Sequence, residues 1–107
     1  MLPRKNRVST KVVEEIFKKG SFVNSPTLTF KFIKTNRPSP PAISFIAPKS
    51  VAKGAVERNK LRRMGYLAIE EEIKQFPTGL TGVFVFRKQE TSKEAIENDI
   101  KTILGKI

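Results

Sequence analysis

Apolar residues recur along this chain at two spacings, every third or fourth position and every second position, and the changes between them mark out its elements. Val12, Val13, Ile16 and Phe17 form a helical stripe, with Glu14 and Glu15 placed four residues ahead of Lys18 and Lys19. Ser9 or Thr10 can cap this helix and Gly20 can stop it. Ser21 to Asn24 reads as a short strand, broken at Pro26. Thr27 to Lys34 reads as a second strand, with Leu28, Phe30 and Phe32 on one side and Thr27, Thr29, Lys31 and Ile33 on the other.

Three prolines between Asn36 and Pro41 remove backbone donors and favour extended geometry, which predicts a surface loop. Ala42 to Ala47 follows as a third strand, ended by Pro48. A long helix is predicted from about Ala55 to Lys74, with Leu61, Met64, Ala68, Ile69, Ile73 and Phe76 inward and Pro77-Thr78-Gly79 as its close. The apolar run Gly82 to Arg87 suits a central strand buried on both faces. Thr91 and Glu94 have the spacing of a capping box, and Ile96, Ile100, Ile103, Leu104 and Ile107 make the stripe of a closing amphipathic helix. The predicted order is α-β-β-β-α-β-α, an α+β sheet with helices laid over it. One domain spans residues 1–107, with residues 1–8 as a basic arm carrying Arg4, Lys5 and Arg7.

Charge sharpens this picture. The net charge is +11, and residues 1–63 hold 15 basic and 3 acidic side chains, against 6 and 7 in the remainder. Within the predicted long helix, positions 58, 59, 62, 63 and 66 share one side, bringing together Arg58, Asn59, Arg62, Arg63 and Tyr66. With Lys60 this places four cations in six residues, a mutual repulsion that a polyanion relieves, so RNA or DNA is the expected partner. The competing reading is a solvated charged face.

The chain has neither cysteine nor histidine, which excludes disulfides, thiolate zinc sites and the common nucleophile pairs with a histidine base. Glu70, Glu71 and Glu72 are consecutive, and on a helix they would splay over about 200°, too far to converge on one ion, so a solvated acidic patch is expected there. No apolar run reaches the length of a signal core or a membrane span, and the expected location is the cytoplasm.

The run Phe17-Lys18-Lys19-Gly20, the Pro48-Lys49 pair, the block Ala55-Val56-Glu57-Arg58-Asn59-Lys60-Leu61-Arg62-Arg63 and the strand Gly82 to Arg87 together resemble the protein component of bacterial ribonuclease P, over nearly the whole chain. The family signature is Arg-Asn-Arg followed by a basic pair; Lys60 stands at its third position, keeping charge but not a bidentate fork. The resemblance implies a two-layer sandwich with a left-handed β-α-β crossover, ribosomal protein S5 domain 2-like. It implies an accessory subunit of an endoribonuclease whose RNA carries out catalysis, releasing the 5′ leader of precursor tRNA by hydrolysis. No catalytic residue and no cofactor of the protein alone are then expected, Mg2+ entering the holoenzyme through the RNA. The implied partners are the catalytic RNA and precursor tRNA, with no membrane and no protein partner required.

Carried onto this chain, the resemblance assigns Arg58, Asn59, Lys60, Arg62 and Arg63 to the catalytic RNA, and Val13, Phe17, Phe30 and Lys49 to a cleft for the single-stranded leader. Aromatic faces beside cations suit unpaired bases, although Phe17 and Phe30 are also ordinary core residues by type. Val13 stands where the family commonly has Phe, and Tyr66 where it often has a basic residue. The alternatives are a basic ribosomal protein or RNA chaperone without turnover, and a DNA-binding protein using the 58–63 helix.

Overall fold

In the computed structural model, which describes residues 8, 10–34, 38, 40–89 and 91–107, the aromatic and β-branched runs pair into one four-stranded sheet. Chain order gives α1 (Thr10–Lys19), β1 (Ser21–Asn24), β2 (Leu28–Lys34), β3 (Ala42–Ile46), α2 (Ala55–Ile69), a 3-10 turn (Ile73–Gln75), β4 (Leu80–Phe86) and α3 (Lys93–Leu104). The strands lie in the order β1-β2-β4-β3. β1 and β4 run antiparallel to β2, whereas β3 is parallel to β4, so α2 lies in a β-α-β crossover. This is the α+β arrangement that the resemblance implies.

Strand alternation decides what each face holds. Phe30, Phe84 and Phe45 stand in register on β2, β4 and β3, and their rings stack at centroid distances of 4.3 and 5.1 Å. Phe76 meets Phe30 and Phe84 edge-on, and Ile96, Ile100 and Ile103 of α3 close over the same face. Gly82 makes room for this packing, because a Cβ there would lie 2.3 Å from the Phe30 ring. The opposite face carries α1, whose fully buried Ile16 contributes with Val83 a small second interface outside the main core.

Asp99, 8% exposed, fastens α3 to the β1–β2 turn. Its carboxylate accepts from Ser25 Oγ at 3.0 Å, from Thr27 N at 2.8 Å and from the Thr27 hydroxyl. Arg87 Nη1 donates to Ser25 O at 2.6 Å and holds the same turn from the end of β4.

Three local expectations are corrected. The long helix ends at Ile69 and not at Lys74, and a 3-10 turn follows that swings Phe76 into the core. Its last turn has no basic residue and three glutamates follow, placing like charge at the negative end of the helix dipole. Glu72 turns inward, 7% exposed, with its carboxylate 4.0 Å from Lys101 Nζ, so the three glutamates are not one solvated patch. The cap of α3 is Ser92 and not Thr91: Ser92 Oγ accepts from Ala95 N at 3.2 Å, leaving Glu94 one position short of the box. The cap expected at Ser9 or Thr10, the basic arm residues Arg4, Lys5 and Arg7, and positions 35–37 and 39 of the proline-rich connection lie outside the described residues and side chains.

Candidate nucleic-acid interface

The basic helix face is divided by its own backbone. Arg58 turns back to the segment before α2, where Nη1 donates to Lys53 O at 2.7 Å and Ala52 O at 3.1 Å. Gly54, the N-cap, has no side chain to accept from the first N–H groups of α2, and the Arg58 guanidinium, by donating to the two carbonyls that precede it, fixes how the chain enters the helix. Lys60, one 100° step from Asn59, faces away from the groove described below and lines a shallow cleft with Glu57, Met64, Ser92 and Lys93. Asn59, Arg62 and Arg63 remain together. Arg62 donates to Asn59 Oδ1, which aligns the amide with the guanidinium, and all three side chains are exposed.

These three residues form one wall of a groove of about 710 Å³. Tyr66 and Leu67 of α2, Ser44 and Ile46 of β3, and Val13 of α1 complete its floor and far side. Two contacts hold the helix to its strand. Tyr66 packs edge-on to Phe45 at 5.1 Å and its hydroxyl accepts from Phe45 N at 3.4 Å. Gly65 lies over the Phe45 ring so closely that a Cβ would meet it at 2.5 Å. The close approach is therefore to a side chain. Gly65→Ala is expected to lower stability by about 1–2 kcal/mol, overpacking exceeding the roughly 1 kcal/mol gain in helix propensity, as a thermal melt would read. Val8, just before α1, donates its N–H to Ser44 Oγ at 3.2 Å and closes one end.

Val13 and Phe17, four residues apart, share one flank of α1. Val13 faces the α2 groove, whereas Phe17, 44% exposed, has Lys31 Nζ 4.5 Å from its ring centroid, a cation–π contact. Beneath this flank the sheet is open. Ile46, Val85, Thr29 and Asn24 form a row across all four strands, and the first three are only half-buried although β4 and β2 are inner strands. β4 is thus covered on both faces only around Val83, a correction to the fully buried strand expected from its apolar run.

Phe30 does not belong to this surface. It is fully buried on the α3 side, stacked between Phe84 and Phe32, and cannot offer its ring to a base. The residue that β2 presents beside Phe17 is Lys31, one position on and therefore on the other face. The alternation of β2 carried that signal. Lys49 lies exposed in the turn after β3, three residues past Ile46 at the end of the open row. Ser44, Ile46 and Val8 had no sequence signal, since their place depends on which strand α1 crosses. Among the described residues, no group of three or more Asp or Glu side chains is placed to hold a metal ion, and no helix is long and apolar enough to cross a membrane.

The fold recurs in solved structures. It matches the RNase P protein of Thermotoga maritima with a TM-score of 0.80 at 18% identity, covering 94% of this chain and 96% of that one. It matches the Staphylococcus aureus RNase P protein with a TM-score of 0.79 at 16% identity, covering 94% and 93%. Another Staphylococcus aureus structure, a mutant of that protein with defective mRNA degradation activity, matches at 0.78 and 16% identity, covering 94% and 86%. No curated protein matches the chain in sequence. At these identities the structures establish the fold alone, but the sequence model of the Ribonuclease P family matches residues 2–107, which is nearly all of the chain. With the fold and its β-α-β crossover in place, the chain belongs to the Ribonuclease P family.

Proposed function

We propose that this ribonuclease P subunit binds the catalytic RNA through Asn59, Arg62 and Arg63, with Arg58 setting the entry of their helix, and guides the 5′ leader of precursor tRNA along the α1 flank. The observation that carries the reading is the continuity of the two surfaces. Val13 joins the groove beneath Arg62 and Arg63, and Phe17 on the same flank stands beside Lys31 over open sheet. An unpaired strand needs such a path, with cations for its phosphates and apolar or aromatic surface for its bases. Lys49 lies exposed beyond the β3 end of this path, whereas Lys60, on the other side of α2, adds only to the general positive field.

The protein's share of the work is electrostatic and positional. Neutralising phosphates where ribozyme and substrate meet lowers their mutual repulsion, and holding the leader reduces the freedom of the scissile bond. Hydrolysis, which leaves a 5′ phosphate on the tRNA and frees the leader, belongs on this reading to the RNA and the magnesium it binds; no step is assigned to a protein-bound metal. Reconstitution tests the proposal. Cleavage of precursor tRNA by ribonuclease P RNA at low magnesium is expected to rise when the protein is added, and binding is expected to favour precursor over mature tRNA. Absence of both effects would leave a general RNA-binding protein.

A further inference from the structure

The row of residues that passes under α1 continues beyond it to the edge of the sheet. Ser44, Val83, Lys31 and Phe22 are register partners across β3, β4, β2 and β1. α1 buries Val83, and Phe17 of α1 takes the ammonium of Lys31. Phe22, directly opposite Lys31 on the edge strand, is 64% exposed, more than any other aromatic ring among the described residues. Directly opposed residues in an antiparallel pair have Cβ atoms about 4.5–5.5 Å apart, so Lys31 stands between two aromatic rings. The neighbouring Val23 packs on the core side, which turns Phe22 to the α1 side of the sheet.

We infer that Phe22 is a second stacking platform for an unpaired nucleotide of the leader, placed past Phe17, with Lys31 taking the intervening phosphate. The inference rests on the leader path proposed above and adds to it a residue that determines how far along the leader the protein reads. Charge favours nucleic acid as the occupant: Lys31 lies between the rings, and Lys18 and Lys19 are exposed in the last turn of α1 just before β1. A protein strand adding to this edge would find only four residues to pair with. Val13 offers no ring at the other end of the flank, so the aromatic surface of this chain is shifted toward the sheet edge.

The test uses reconstituted holoenzyme with wild-type, Phe22→Ala or Phe22→Trp protein and precursor tRNAs bearing a nested series of leader lengths. Single-turnover cleavage across enzyme concentrations reads affinity for each. Wild-type affinity is expected to grow with leader length until the strand reaches Phe22. Phe22→Ala should lose about five- to tenfold for long leaders and nothing for short ones or mature tRNA, and Phe22→Trp should restore the long-leader preference. A Phe22→Ala holoenzyme that follows wild type at every length, or loses equally at every length, overturns the assignment while the leader path stands. A wild-type holoenzyme with no preference for leaders overturns the path itself, and this inference with it.

Discussion

Phe30→Ala is expected to lower the stability of this protein by about 3–5 kcal/mol, and to weaken binding of leader-bearing and mature tRNA equally. The ring is fully buried and touches three others, Phe32 and Phe84 by stacking and Phe76 edge-on. Its loss opens a cavity in the row of rings that joins β2, β4 and β3, and the close approach at Gly82 loses its partner. A domain of this size has only about 5–15 kcal/mol to lose, so a loss of this size is a large fraction of the total and unfolds an appreciable share of the molecules at the low end of that range. Lys31→Ala, one residue on, is the contrasting variant: it should melt near wild type and lose only leader-bearing substrate. A Phe30→Ala protein with an unchanged melting temperature and a leader-specific defect would overturn the division of the two sheet faces.

Replacing Arg62 and Arg63 together by Ala is expected to flatten the dependence of log affinity on log salt for the catalytic RNA by roughly 1.4–1.8, about 0.7–0.9 for each phosphate no longer neutralised. Both side chains are exposed, and neither holds another element, so stability should stay within about 0.5 kcal/mol of wild type. Arg58→Ala should behave differently. Its guanidinium holds the carbonyls of Ala52 and Lys53, so the variant is expected to lose about 0.5–1.5 kcal/mol of stability along with affinity. Lys60→Ala, on the far side of the helix, should change the slope least. An unchanged salt slope in the double variant would remove this helix face from the RNA interface.

The order of elements and most of their bounds were legible in the sequence, because each element is written in a local period that needs no partner to be read. The stripe of Val12, Val13, Ile16 and Phe17 and the run Ser21–Asn24 have the bounds expected, and the basic 58–63 segment lies within the helix predicted for it. The misplaced features were those decided by competition between neighbouring signals. Ser92 and Thr91 are both good caps, and the dipole-opposed glutamates after Ile69 outweighed a helical pattern that continued to Lys74.

Local periodicity and charge alone thus determined the α+β class, the element order and the basic helix, because side-chain spacing and composition are properties of the chain itself. Which face of β2 meets α1, that Phe30 is core while Lys31 is surface, that Arg58 serves its own backbone and Lys60 looks away, and that Phe22 stands exposed beside Lys31 were decided only by tertiary packing. An alternating strand defines two faces without naming the inner one. That choice is made by where α1 and α3 lie, through contacts between residues far apart in sequence.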